Sequence, residues 1–444
     1  MKRRKLILEI LLCGCGLVPA VAQDKPEKVR INLRQAIDIA LSDNPVVKVA
    51  GQEIELKKAV MEEAKAGLLP TADVNGSYSR TLKKQTMVMN FGGQETTIQM
   101  GTDNTYNGAV VVSLPIFAPA LYRSINLSST DIELAVEKSR ASRLDMINQV
   151  TKAYYQALMA QDSYEVLLKS LAQAEANFNV INERYKLGGV SEYDKIRADV
   201  QVRSLKPTVV SARNGVNLSK LQLKVLMGLD DKETELEIEG NLKDYEHEMS
   251  ERGQSAGDLS LANNSDLLQL DLNADLLHKS LALHKAAFLP TLGAQYNYTF
   301  TSMNNNYAIT HYQWFPSSSV ALSLSIPLFK AGNYKKLKQT HIQINQLRDT
   351  RENAENMLYM QMSSYLDNMS ASSEQLASNK ESVLQAEKGR VIAQKRYEVG
   401  KGTILELNDS EVALMQAQLI YNQSIYDYLT ARTELNKILG RGEN

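Results

Sequence analysis

From Ala120 to Leu187 the chain runs 68 residues without a glycine or a proline, and from Asn333 to Lys388 it runs another 56. At 1.5 Å per residue the first run alone makes a helix of about 100 Å, far longer than the three-turn helices of ordinary globular domains. A helix of that length needs lateral partners along its whole course, as in a coiled coil. Its inward stripe is mixed and small (Val150, Ala153, Tyr154, Ala157, Leu158, Gln161), which suits close helix–helix packing. Charged residues are 23% of the 444, so these helices are too polar to cross a bilayer. Lys+Arg and Asp+Glu number 50 and 51, and this balance gives no electrostatic footprint for nucleic acid.

The long runs belong to a tandem duplication. Ala64-Lys65-Ala66-Gly67-Leu68-Leu69-Pro70-Thr71 recurs 220 residues later as His284-Lys285-Ala286-Ala287-Phe288-Leu289-Pro290-Thr291. Ser113-Leu114-Pro115-Ile116-Phe117 recurs as Ser325-Ile326-Pro327-Leu328-Phe329 at an offset of 212, as do Arg184-Tyr185-Lys186-Leu187-Gly188 and Arg396-Tyr397-Glu398-Val399-Gly400. The change of offset makes the first hairpin loop eight residues longer than the second. Each copy therefore reads as a helical stretch ending at Leu-Pro-Thr, two strands, a very long helix, a glycine turn and a further helix. The first copy spans 23–228, with its hairpin at about 71–117 and its turn at 187–191. The second spans 259–440, with its hairpin at about 291–329 and its turn at 399–403, and leaves a tail of 441–444. Between the copies, 229–258 holds eleven acidic and three basic residues and reads as a solvated surface segment, with Glu235-Leu236-Glu237-Ile238 as a short strand.

The strands set this chain apart from a plain coiled coil. Leu292, Ala294, Tyr296, Tyr298 and Phe300 alternate with polar or small residues, and so do Val320, Leu322, Leu324 and Ile326 and, in the first copy, Val110, Val112 and Leu114. Period-two patterning over about ten residues matches strands that cross an outer membrane. Tyr106, Tyr122, Tyr296, Tyr298, Tyr312 and Trp314 lie in or beside them, where interfacial aromatics belong. Four such strands cannot close a barrel, and open strand edges are not tolerated in lipid, so insertion demands association of several chains.

The N-terminus reads as an export signal: Lys2, Arg3, Arg4 and Lys5, an apolar stretch, then Ala20-Val21-Ala22, giving a leader of 1–22. Leu12-Cys13-Gly14-Cys15 weakly resembles a lipoprotein box, the alternative route, which would leave a lipidated Cys15. Cys13 and Cys15 are the only cysteines, so cleavage after Ala22 leaves a chain without thiols. The five histidines form no metal-ligand spacing and no phosphate-binding glycine loop occurs, so neither an enzyme nor a cofactor is expected.

The doubled Leu-Pro-Thr, the Pro-Ile-Phe and Pro-Leu-Phe strand ends, the two Arg-Tyr-x-x-Gly turns and Asn44-Pro45 resemble the TolC family of outer-membrane efflux proteins; Asn264-Ser265 departs from the Asn-Pro form. The resemblance spans nearly the whole chain after the leader. It implies a mainly α fold with a membrane β-barrel. Each chain of a homotrimer would give four strands to a barrel among outer-membrane lipids, above a long periplasmic α-helical barrel. It also implies an export duct that works with a periplasmic adaptor protein and an inner-membrane transporter. The turns Leu187, Gly188, Gly189, Val190, Ser191 and Val399, Gly400, Lys401, Gly402, Thr403 look like the family's adaptor-docking tips. Glu406 and Asp409, with Asp194 and Tyr397, match its periplasmic gate. Gly402 stands where the family often has a basic gate residue, with Lys401 and Arg197 as the nearest substitutes. The competing reading is a periplasmic coiled-coil structural or adaptor protein, which accounts for the helices but not for the strands.

Overall fold

The computed structural model describes residues 28–229, 235–250, 259–307 and 312–442. The leader 1–22 with Cys15, and both margins of the acidic inter-repeat segment, lie outside the described residues. The chain begins with strand β1 (Lys28–Ile31) and helices α1 (Leu33–Asp43) and α2 (Pro45–Ala66). Strands β2 (Thr71–Arg80), β3 (Gln85–Phe91), β4 (Gln94–Met100) and β5 (Asn104–Phe117) follow. Then come α3 (Pro119–Lys186) and α4 (Glu192–Met227), strand β6 (Glu235–Ile238) and the short helix α5 (Glu246–Ser250). The second copy has α6 (Ser265–Ala286), β7 (Thr291–Asn304), β8 (Phe315–Ser325), α7 (Ala331–Glu398) and α8 (Ile404–Ile438).

The duplication is visible in the element lengths: α3 and α7 have 68 residues each, α2 and α6 have 22 each. α7 is longer than its glycine-free run and passes through Gly389 without a break; one exposed glycine costs about 1 kcal/mol, which a helix packed along its length absorbs. α4 and α8 run back along α3 and α7, and α3 lies against α8, so the lower half is a wall ordered α4-α3-α8-α7. In the upper half α2 and α6 take over from α4 and α8 beside the same long helices.

Two asparagines splice the upper helices onto the lower ones. Asn44 caps α2 by accepting from the Val46 N–H at 2.8 Å, and its amide donates to the Leu226 carbonyl at the end of α4 at 2.7 Å. Asn264 does the same for α6, accepting from the N–H groups of Asp266 and Leu267, both at 3.0 Å, and donating to the Ile438 carbonyl of α8 at 2.7 Å. One side chain thus satisfies the orphan donors of one helix start and an orphan acceptor of another helix end. Both asparagines are buried. The proline of Asn44-Pro45 is therefore dispensable: Asn264-Ser265 defines its helix start equally well.

The four-stranded sheet is antiparallel in the order β2-β5-β7-β8, so the second strand of copy one pairs with the first strand of copy two. The hairpin β3–β4 fills the longer loop of copy one as a separate two-stranded sheet, which the sequence pattern did not single out. The acidic segment is not a detached linker. β6 pairs in parallel with β1, and buried Leu236, Leu242 and Met249 join Tyr154, Tyr155, Tyr421 and Ile425 of the long helices in the largest core cluster. This belt clasps the helices near mid-height. We expect Asn44→Ala and Asn264→Ala each to cost about 1–2 kcal/mol, seen as a lower midpoint of the helical signal on heating; a loss under about 0.5 kcal/mol, the level of an ordinary surface change, would contradict the splice.

Candidate functional site

The sheet end is built for lipid on one face. Cross-strand partners align Val74 with Val110 and Tyr298, Ala72 with Val112, Tyr296 and Val320, and Leu114 with Ala294 and Leu322. The opposite face carries Asp73, Asn75, Ser77, Asn297, Thr299, Ser319 and Ser323. Val74, Val320 and Leu322 are 79%, 75% and 71% exposed, a contiguous apolar surface that a chain bathed only in water would bury. Among the described residues no helix is long and apolar enough to cross a membrane.

The aromatics separate by height. Tyr106 lies within 4.7 Å of Tyr78 and 5.1 Å of Tyr312, ring centroid to centroid, at the end of the sheet far from the helices; Trp314 packs edge-on against Phe300 nearby. Tyr122 is exposed in the first turn of α3, at the other end of the strands. Tyr296 and Tyr298 sit mid-strand among the apolar side chains.

At the opposite end the helical hairpins turn on matched motifs. α3 closes with Gly188 N–H to the Tyr185 carbonyl (2.9 Å) and Gly189 N–H to that of Arg184 (2.8 Å). α7 closes likewise with Gly400 to Tyr397 (3.1 Å) and Lys401 to Arg396 (2.8 Å). Gly188 and Gly400 have φ of 72° and 73°, the left-handed conformation this 6→1 closure requires. Ser191 then caps α4 by accepting from the Asp194 N–H at 3.2 Å, and Asp194 accepts in return from the Ser191 N–H. Thr403 caps α8 by accepting from the Glu406 N–H at 3.2 Å. Leu187, Gly189, Val399 and Lys401 are exposed on the turns, and Val190 packs on a small core of Ile181, Ala198, Ile404 and Leu407 that joins the two hairpins.

The four gate candidates stand around that core. Tyr397 packs on it, and the Arg184 guanidinium lies 6.0 Å from its ring centroid. Burial, and then the nearby Asp194 carboxylate, hold the Tyr397 phenol above its usual range. Its hydroxyl and the Nε of Arg197 are buried and find no hydrogen-bond partner among the described residues. Glu406 and Asp409 are exposed one turn apart on α8. A Cβ on Gly402 would lie 3.1–3.2 Å from Arg396 Cβ, Tyr397 N and Glu406 Oε2, so a larger residue there would require these neighbours to give by a few tenths of an ångström. The cation beside Glu406 is Arg396, at 3.6 Å, which also donates to the Lys401 carbonyl at 3.3 Å. Lys401 and Arg197 do not take that place. The only sequence signal for Arg396 is its place at the start of the second Arg-Tyr-x-x-Gly repeat.

The belt adds a titratable contact. The Asp162 carboxylate accepts from the Leu242 N–H at 2.9 Å. Burial, with smaller contributions from Glu165 and Asp244, pushes it up to about 6, against the Leu242 N–H and Lys243. A carboxyl raised on folding stabilises below its unfolded value and loses that contribution as pH rises through the folded value. Asp162→Asn is therefore expected to raise stability at pH 7.5 by about 1–3 kcal/mol and to have little effect at pH 4, read as melting midpoints; an equal shift at both pH values would contradict this.

A sheet with one apolar face and two open edges, continued by a wall of spliced helices that ends in paired hairpin turns, defines a subunit of a membrane duct. The chain belongs to the outer membrane efflux protein family, whose model matches residues 36–229 and 256–441. Among curated relatives, the outer membrane protein TolC of Vibrio cholerae is 21% identical over 92% of this chain and 90% of its own. The alkaline protease secretion protein AprF of Pseudomonas aeruginosa is 23% identical over 92% and 84%. Among solved structures, the Campylobacter jejuni CmeC outer membrane channel superposes with a TM-score of 0.73 at 17% identity, covering 98% of this chain and 94% of that one. The outer membrane protein VceC of Vibrio cholerae superposes with 0.70 at 15% identity, covering 92% and 96%.

Proposed function

We propose that this chain is the outer-membrane export duct of a tripartite pump or type I secretion system, a passive homotrimeric channel gated at its helical tips. The observation that carries this reading is the pair of open sheet edges, β2 and β8, on a sheet whose apolar face is bare. In lipid those backbone groups have no water to bond, so the edges close only on other copies. Family membership supports the duct, and the secretion and efflux roles in the relatives' names support export. An inner-membrane transporter supplies its energy and a periplasmic adaptor joins the two. The exposed turns at 187–191 and 399–403 are its docking tips, and outward movement of the hairpins opens the pore.

Threefold symmetry turns Glu406 and Asp409 into two rings of carboxylates at the narrow end, which attract cations. The Arg396–Glu406 pair ties each member of the ring nearer the tip to its own hairpin. The reading is tested in planar bilayers. The wild-type protein forms discrete cation-selective pores, and Glu406→Gln with Asp409→Asn lowers cation selectivity and block by polyvalent cations. Absence of conductance would overturn the duct; unchanged selectivity in the double variant would overturn the rings alone.

A further inference from the structure

Below the belt the helical wall has two edges, α4 and α7, since α3 and α8 lie between them. Both edges carry exposed apolar side chains: Tyr193, Val200 and Leu221 on α4 and Ile392 on α7 are more than half exposed, and Leu384 on α7 is 47% exposed. Beside these runs a heptad of charges on each edge. Lys206, Arg213 and Lys220 follow one another every seven residues on α4, and Glu381, Glu374 and Asp367 do so on α7.

The heights of the two sets coincide. Gly188 and Gly400 turn the two hairpins at equivalent points, and α4 rises from its turn while α7 descends to its own. Arg213 is 25 residues past Gly188, and Glu374 is 26 before Gly400. Because both sets step by seven, Lys206 faces the height of Glu381 and Lys220 that of Asp367 with the same one-residue offset, about 1.5 Å along the axis. Nearer the tip the sign reverses, and it reverses on both edges at the same heights: Glu192 and Asp199 on α4 stand level with Lys395 and Lys388 on α7. Five consecutive heptad positions are matched, including an inversion that a uniformly charged face would not produce.

Among the described residues, the partners of these charges inside the protomer are local or solvent-exposed. Lys206 reaches Glu175 at 3.1 Å, Asp199 holds Arg203 at 2.8 Å, and Glu381 accepts from Gln385. Flanking charges on an apolar seam are what fix partner and register in antiparallel helix pairs.

We propose that α4 of one protomer docks antiparallel on α7 of the next copy of this chain, and that this heptad ladder of opposite charges sets the register of the helical barrel. The proposal rests on the trimer reading above and names the residues that make the contact. Its test is charge exchange in the full-length protein extracted in mild detergent, with assembly state read by light scattering and helix content by circular dichroism. Arg213→Glu with Lys220→Glu is expected to lose the trimer at concentrations where the wild type keeps it, with helix content retained. Adding Glu374→Arg and Asp367→Lys is expected to restore it. A double variant as fully trimeric as the wild type, or a quadruple variant no better than the double, overturns the ladder while leaving the trimer standing. A monomeric wild type overturns the trimer itself and the ladder with it.

Discussion

Everything in this molecule answers to the unpaired backbone of two strands. β2 and β8 bond on one side only, and their exposed side chains mark the surrounding medium as lipid rather than water. A free sheet edge in hydrocarbon costs several kcal/mol per unsatisfied group, so the protomer is complete only as part of a ring. The ring in turn dictates the helices. A wall that must meet a neighbour on both sides keeps its apolar and charged side chains on the edges, which is why α7 buries so few of its 68 residues within the protomer.

The long helices solve a second problem, reach. α3 and α7 run unbroken from the sheet to the tip, while their partners change midway, from α4 to α2 and from α8 to α6. Each change would leave helix ends bare in a packed wall. Asn44 and Asn264 cover them with one side chain apiece. The belt of β1, β6 and the acidic segment binds the wall near mid-height through Tyr154, whose hydroxyl donates to the Glu239 carbonyl, and through Glu246, held by Lys380 and Tyr421. The tips, by contrast, are joined by a core of only four buried residues.

The sequence made the repeat, the amphipathic strands and the glycine turns legible because each is a local pattern: alternation, a long uninterrupted period, a glycine at a helix end. What escaped it was non-local. The pairing of β1 with β6 joins four residues to four others about 200 positions away, and neither stretch alternates long enough to announce a partner. The β3–β4 hairpin mixes Met, Thr and Gln without a clean face. At the tip, Gly402 reads from the family resemblance as a missing basic residue; in space it is a close packing position, and the cation beside Glu406 is Arg396 from the previous turn. The Asn264 splice looked weak without a proline because the residue type, not the donor and acceptor it places, was all that could be read.

The central claim is that the sheet closes between chains. The duplication predicts how: β2–β5 and β7–β8 share one register, and β5–β7 pairs Val111 with Asn297. Carried over to the open edges, that rule sets Ser323 of one protomer opposite Ser77 of the next. A chain bearing Ser77→Cys and Ser323→Cys, and no other cysteine after leader removal, measures this directly in outer membranes under mild oxidation. The account predicts a ladder on denaturing gels that ends at three linked chains. A product of one chain's size, bonded to itself or not at all, would contradict it.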